Sequence, residues 1–336
     1  MSDLPPLVAD LRAWLAGRED PEPWIVETSG STGRPKRVML SRRAVLASVA
    51  ATEKRLGGSG RWVLRVPAGY VAGLQVICRS LVAGHEPVGL DEPWPDGEGW
   101  FTSLVPTQLH RMLDDDAVDG DLAALRRAHT VLLGGGPVDP ALRERAASAG
   151  VRVVATYGSA ETAGGCVYDG LPLDGVEVTA GPGGRLRIRG PVLFDGYRDD
   201  PASTAQALVA GWFVTADAGE VDPDGRVRVL GRVDDVVISG GVNVPGPAVA
   251  ARLRAHPGVA AAEVLGVPDP EWGNRLVAFV APAAGPLAQE DLRAWVCAVH
   301  PRAWAPRQVV TLVEIPLLAN GKPDRIRLRE MVVADA

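Results

Sequence analysis

From residue 24 to about 160 the chain alternates short β-branched and aromatic runs with helical stretches, the pattern of a parallel sheet covered by helices. WIVE and RVMLS read as strands around an insert, TSGSTGRPK. Ser41 is placed to cap a helix over RRAVLASVAATEKRL, which Gly57-Gly58 would end. RWVLRV, FTSLV, TVLLGGG and VRVVATYG read as further strands. YVAGLQVICRSLVAG, PTQLHRML and DPALRERAASAG read as the helices between them, and residues 7–16 as a helix before them. From 175 to 231 the segments shorten, alternate and carry glycine at their ends, which predicts antiparallel hairpins forming a β-rich subdomain. Beyond a polar, glycine-rich stretch the pattern is compact α+β: helix 247–255, strands 259–267 and 275–281, helix 289–299, strand 308–313. The expected fold class is therefore α/β. It comprises a large N-terminal domain with a mostly parallel sheet and a β-rich subdomain (1–231), a hinge (232–236) and a small mobile α+β C-terminal domain (237–336).

In open parallel sheets ligands gather at the carboxyl ends of the strands. TSGSTGRPK, LLGGGP and TYGSAETAGG all follow predicted strands, so one cleft would collect them. In TSGSTGRPK, Gly30 and Gly33 let backbone N–H groups approach an anion. Thr28, Ser29, Ser31 and Thr32 add hydroxyl donors and Lys36 adds charge. The spacing is not that of a Walker A loop, because Arg34-Pro35 separate Gly33 from Lys36. A Ser/Gly hairpin loop would have the same composition, and the stretch alone does not separate the two. Glu161 is a carboxylate suited to a magnesium ion on a nucleotide phosphate, and Tyr157 is an aromatic ring for a base; a solvated turn with a surface glutamate is the plainer reading. Gly134, Gly135 and Gly136 before Pro137 would let a flat ring lie on the backbone, or simply make a tight turn. Asp217 is a candidate acceptor for ribose hydroxyls, with Arg232 beside it.

Composition narrows the partners. A net charge of −6 argues against a broad nucleic-acid or anionic-membrane surface, and no apolar run is long enough for a membrane helix. The N-terminus has no secretory h-region, and three separated cysteines fit a reduced, cytoplasmic setting. Five scattered histidines offer no zinc spacing. Only three of the 35 basic residues are lysines, and two of them, Lys36 and Lys322, stand in glycine-containing turns. A lysine is a compact point charge that fits among phosphate and carboxylate oxygens, where arginine is a wider fork.

Taken in order, TSGSTGRPK, LLGGGP, TYGSAETAGG, GWFVTADAGE, GRVDDVVISGG and Lys322 resemble the adenylate-forming superfamily of acyl-CoA synthetases, adenylation domains and luciferases. The resemblance implies an AMP-forming ligase using ATP, Mg2+ and CoA on small-molecule substrates, with no nucleic-acid partner and no stable membrane insertion; a homo-oligomer is left open. It makes Thr28 to Lys36 the phosphate loop. Gly134 to Pro137, Tyr157 and Gly158 become the adenine pocket, Glu161 the magnesium ligand, and Asp217 with Arg232 the ribose clamp. Asp234 falls at the hinge, Lys322 at the lysine completing the adenylation site, and Ser239, Gly240 and Gly241 towards a CoA channel. The family's usual TGD is here Thr215-Ala216-Asp217, and its threonine before the glutamate is Ala160, so Ser159 or Thr162 would have to supply that hydroxyl. PAGYVAGLQVICRSLVAG and SLVPTQLHRML are most similar to the branch that joins an aromatic acid bearing a second carboxylate to CoA for menaquinone biosynthesis. Tyr70, Gly73, Arg79 and Ser159 are then the acyl-substrate candidates, with Arg79 as partner for the spare carboxylate or an exposed helix arginine. Other acyl- or aryl-CoA ligases, a carrier-loading adenylation enzyme and a non-catalytic nucleotide-binding protein are the competing readings.

Overall fold

The computed structural model describes residues 4–17, 19–28, 35–114, 120–233, 236–317 and 323–333. Contacts divide the chain into two units. One comprises Met1–Thr179, Arg187–Thr215 and Val221–Val227, the other Ala180–Leu186, Ala216–Glu220 and Arg228–Ala336.

The first unit begins with α1 (Leu4–Ala16), whose two prolines sit in the opening turn, where a missing N–H costs nothing. Strands β1 (Trp24–Thr28) and β2 (Lys36–Leu40) follow, then α2 (Arg42–Leu56). Ser41 Oγ caps α2 by accepting from Ala44 N–H at 3.4 Å, and Gly57 ends it in the left-handed region at φ 76°. Next come β3 (Trp62–Val63), α3 (Val71–Val82), β4 (Phe101–Leu104), α4 (Pro106–Asp114), α5 (Asp121–Arg127), β5 (Thr130–Leu133), α6 (Pro140–Ser148) and β6 (Val153–Ser159). Strands β3 to β6 are parallel neighbours in that order, as the alternation predicts. All four residues of β4 and of β5 are buried, because helices cover both faces of such a sheet.

Two differences from the sequence reading bear on the site. The strands around TSGSTGRPK do not join the parallel sheet. β1 and β2 pair antiparallel, Trp24 opposite Leu40 and Thr28 opposite Lys36. After β6 the chain turns through a 3-10 turn (Ala160–Thr162) into β7 (Gly164–Tyr168), antiparallel to β6, and then β8 (Leu171–Pro172). The predicted loop TYGSAETAGG is therefore mostly a β-hairpin.

Between 177 and 232 short strands dominate, as the glycine spacing predicts: β9 (Glu177–Ala180), β10 (Arg185–Arg189), β11 (Gly196–Tyr197), β12 (Leu208–Val209), β13 (Trp212–Val221) and β14 (Val227–Arg232), with one helix, α7 (Pro201–Ala207). β11 leaves this group and pairs with β2, Tyr197 opposite Val38.

In the second unit β15 (Val236–Ser239) and β16 (Val242–Pro245) form a hairpin before α8 (Gly246–Arg254). β17 (Val259–Asp269) pairs antiparallel with β18 (Gly273–Pro282), which pairs parallel with β19 (Gln308–Thr311). α9 (Gln289–Cys297) and α10 (Arg325–Val333) complete it. Side chains alternate across a strand. Val264, Leu276, Ala278 and Val280 thus pack with α8 and α9, and Leu265, Val267, Val277 and Phe279 with Leu328 and Val332 of α10. Helices on both faces explain why LVAFVA reads as an unbroken apolar run.

Candidate active site

In the first unit the sequence candidates cluster where β5 and β6 end. Gly134 follows β5. A Cβ there would lie 2.4 Å from Thr156 Oγ1, so the glycine lets the neighbouring strand close in. Gly135 takes φ +80°. These two positions need glycine for the turn itself; a Cβ at Gly136 would meet nothing nearer than Pro106 Cγ at 4.0 Å. On β6, a Cβ at Gly158 would fall 2.1 Å from Gly164 O, so this glycine keeps the β6–β7 hairpin closed. Tyr157, one residue before it, is half-buried.

The tip of that hairpin carries Glu161. Thr162 is fully buried and closes the turn: its hydroxyl accepts from Ser159 N–H at 2.9 Å and faces Gly164 O at 2.7 Å. This corrects the expectation that Thr162 supplies a free hydroxyl in place of Ala160. Ser159 Oγ is the one left without a hydrogen bond. Ala163, in the left-handed region at φ 48°, ends the turn, and its carbonyl accepts from Gln75 Nε2 at 2.8 Å and Ser48 Oγ at 3.2 Å. Helices α2 and α3 thus hold the turn from below.

Tyr197, which sequence reasoning missed, meets Glu161 from β11. Its hydroxyl donates to Glu161 Oε1 at 2.8 Å, and Phe194 N–H donates to the Glu161 carbonyl at 3.0 Å. Lys36 Nζ stands 4.5 Å from the centre of the Tyr197 ring. Burial, reinforced by Glu161, pushes the Tyr197 phenol up from its ordinary value, so it stays a donor. Hydrogen bonds from Ser203 hold the Asp200 carboxyl below its usual range, and the Lys36 charge acts the same way. The only signal for Tyr197 in the sequence is GYRDDP, a phenol between glycine and a capped helix start, inside a stretch that reads as plain hairpins. Glu161 Oε2 makes no hydrogen bond among the described residues. A carboxylate with one oxygen left over suits Mg2+, which takes one or two carboxylates and fills its shell with phosphate and water. Of the phosphate-loop candidates, Thr28 and Lys36 form the last pair of the β1–β2 hairpin; Ser29, Gly30, Ser31, Thr32 and Gly33 lie outside the described residues.

The acyl-substrate candidates fare differently. Tyr70 is exposed at the start of α3. Gly73 is required by packing, since a Cβ there would sit 2.3 Å from Pro67 O. The exposed reading of Arg79 is corrected. The residue is 5% exposed, and its Nη2 donates to Thr52 Oγ1 at 3.2 Å and Tyr168 OH at 3.3 Å, inside the layer of α2, α3 and β7. No acidic side chain among the described residues pairs with it, and its Nε has no partner. The neighbouring thiols of Cys78 and Cys166 are pushed up to about 12 by burial, which leaves them inert.

In the second unit Arg232 Nη1 stands 4.0 Å from Asp217 Oδ1, so the two ribose candidates are brought together. Ser239 is buried. Gly240 (φ +57°) and Gly241 (φ +78°) turn the β15–β16 hairpin, and a Cβ at Gly240 would lie 2.6 Å from the Trp272 ring. The hinge candidate Asp234 and the lysine candidate Lys322 lie outside the described residues. Among the described residues no helix is long and apolar enough to cross a membrane.

The family model of the AMP-binding enzyme matches residues 24–185, and that of the AMP-binding enzyme C-terminal domain matches 248–322. A probable 2-succinylbenzoate–CoA ligase of Mycobacterium tuberculosis (strain CDC 1551 / Oshkosh) is 41% identical over 93% of this chain and 85% of its own. The solved amide bond synthetase McbA from Marinactinospora thermotolerans superposes with a TM-score of 0.80 at 29% identity, covering 92% of this chain and 68% of that one. The o-succinylbenzoate CoA synthetase MenE from Bacillus subtilis, solved with the acyl-adenylate OSB-AMP, gives a TM-score of 0.77 at 25% identity, covering 91% and 68%.

Proposed function

Because the chain belongs to the family of AMP-binding enzymes, we propose that it is an ATP-dependent acid–CoA ligase, converting 2-succinylbenzoate, ATP and CoA to 2-succinylbenzoyl-CoA, AMP and diphosphate in menaquinone biosynthesis. The observation that carries this reading is the 41% identity to a probable 2-succinylbenzoate–CoA ligase over nearly the whole chain. The juxtaposition of Glu161, Tyr197 and Lys36 supports it, because it is chemistry suited to a nucleotide triphosphate.

In the first half-reaction a carboxylate oxygen of the acid attacks the α-phosphorus of ATP and diphosphate leaves. The protein's task is to align the two and to offset charge. Thr28 and the loop from Ser29 to Gly33 would cradle the phosphates with Lys36. Gly134 to Pro137, Tyr157 and Gly158 would line the adenine, and Asp217 with Arg232 the ribose. Glu161 would hold Mg2+, which neutralises phosphate charge when bound. Lys322 would stabilise the attacking carboxylate and the α-phosphate together. In the second half-reaction the thiol of CoA attacks the acyl carbonyl and AMP leaves. A rotation at Asp234, dividing residues 1–231 from 237–336, would withdraw Lys322 and bring Ser239-Gly240-Gly241 forward. Tyr70, Gly73 and Ser159 remain acyl-pocket residues in this reading; Arg79 does not.

Incubation with ATP, Mg2+ and 2-succinylbenzoate, with and without CoA, tests the proposal. Acyl-CoA formed from this acid but not from benzoate or fatty acids supports it. Diphosphate without acyl-CoA would point to a carrier-loading or other acceptor-transferring enzyme, and no diphosphate with any acid would refute the ligase. Lys322→Ala should abolish diphosphate release yet spare thioester formation from preformed acyl-adenylate; normal release would remove Lys322 from its role.

A further inference from the structure

The chain segment 194–204 has no part in the reaction as just described, yet it touches the centre of the candidate site. Four hydrogen bonds fix it there. Asp195 N–H donates to Met39 O at 2.9 Å and Arg198 N–H to Arg37 O at 2.8 Å, so β11 is sewn to β2 just beyond Lys36. Tyr197 N–H donates to Thr204 Oγ1 at 2.9 Å, and that hydroxyl donates to Asp200 O at 2.8 Å, which ties β11 to the first turn of α7. Gly196 allows this approach: its φ is +142°, and a Cβ would lie 2.8 Å from Thr204 Cγ2. Phe194 packs on the Tyr197 ring with centroids 5.0 Å apart. The Tyr197 side chain is 5% exposed and has little freedom to leave.

From this fixed base the segment holds Glu161 twice, by its carbonyl through Phe194 N–H and by its carboxylate through the Tyr197 hydroxyl. The same ring is within cation–π distance of the Lys36 ammonium, 4.5 Å from its centre. We propose that Tyr197 is a positioning residue of the nucleotide site, pinning one oxygen of Glu161 so that the other is presented to a divalent cation, and seating Lys36 with its ring. The inference rests on the reading of Glu161 and Lys36 as metal- and phosphate-binding groups. The phenol does nothing to the reacting atoms. It sets the orientation of a ligand, as outer-shell hydrogen bonds do around metal sites. An unrestrained glutamate would lose side-chain entropy each time it met the ion, and the phenol removes that loss in advance.

The test separates hydroxyl from ring and binding from turnover. Equilibrium ATP binding by calorimetry is measured on the full chain in EDTA and across a Mg2+ titration, for the parent, Tyr197→Phe and Tyr197→Leu. Tyr197→Phe should leave ATP affinity in EDTA unchanged and raise the Mg2+ concentration for half-maximal tightening by about tenfold. Tyr197→Leu should also weaken binding in EDTA, because Lys36 loses its seat. A pair of variants in the Glu161→Gln background guards against a folding artefact: there Tyr197→Phe should have no further effect on the Mg2+ response. An unchanged Mg2+ response in a folded Tyr197→Phe protein, or an effect of equal size with and without Glu161, would overturn the proposal. If the parent itself binds no ATP, the nucleotide reading fails instead, and that outcome is distinct.

Discussion

Arg79→Met tests whether the buried guanidinium serves the substrate or the fold. Its removal deletes two hydrogen bonds from a charged donor, to Thr52 and Tyr168, and a contact with the Trp62 ring at 4.9 Å. These are worth about 3 kcal/mol together for the bonds and about 1 kcal/mol for the ring. Against this, a guanidinium with no acidic partner costs several kcal/mol to bury, and its orphaned Nε adds about 1–3 kcal/mol. Thr52 Oγ1 and Tyr168 OH stay bonded to each other at 3.0 Å in its absence, so the variant creates no new orphan hydroxyl. Methionine fills most of the volume and adapts to the gap. The terms nearly cancel. Unfolding in urea or by heat should show a change within about 1 kcal/mol, a midpoint shift of about 4 °C or less for a unit of this size. KM for the acid should stay within about twofold of the parent. A tenfold or larger rise in KM at an unchanged midpoint would show that Arg79 does meet the substrate carboxylate. A stability loss above about 3 kcal/mol would refute the balance of terms.

Gly158→Ala should be severe, because its Cβ would meet backbone atoms of Gly164 and Gly165 rather than a movable side chain. A loss of about 3 kcal/mol or more is expected in a denaturant melt, with diphosphate release falling along with it as Glu161 moves; a melt within about 1 kcal/mol of the parent would contradict the hairpin geometry. Iodoacetamide at pH 8 should add a single label, at exposed Cys297, since burial raises the Cys78 and Cys166 thiols to about 12; rapid labelling of either buried thiol would refute their burial. The same shift sets a sign for stability. The unfolded chain releases these protons from about 9 upward while the folded chain retains them towards 12, so stability should fall as pH rises through that window. A flat profile between pH 9 and 11 would count against it.

Much of this protein is written in local chemistry. The 3.6- and 2-residue periods, Ser41 and Asp139 as helix caps and Gly57 as a left-handed stop act within a few residues, so the elements from β3 to α6 are legible without knowing what surrounds them. Glycine-rich turns after strands likewise mark candidate ligand sites in the sequence, and Glu161 is visible as the carboxylate of one and Lys36 as the lysine closing another. Pairing across long separations is not local. Whether β1 and β2 enter the parallel sheet depends on partners up to 159 residues away, such as Tyr197 opposite Val38, and no short-range pattern carries that choice. Burial is decided the same way. Arg79 reads as a surface arginine until α2 and β7 close over it, and Thr162 reads as a free hydroxyl until the turn folds its oxygen inward. By itself the sequence determined the elements, their order and the chemical types at the strand ends, because those follow from backbone propensity and spacing. Only the tertiary structure decided that a tyrosine from β11 would stand between Glu161 and Lys36, because that contact joins three distant segments whose proximity is a property of the packed chain.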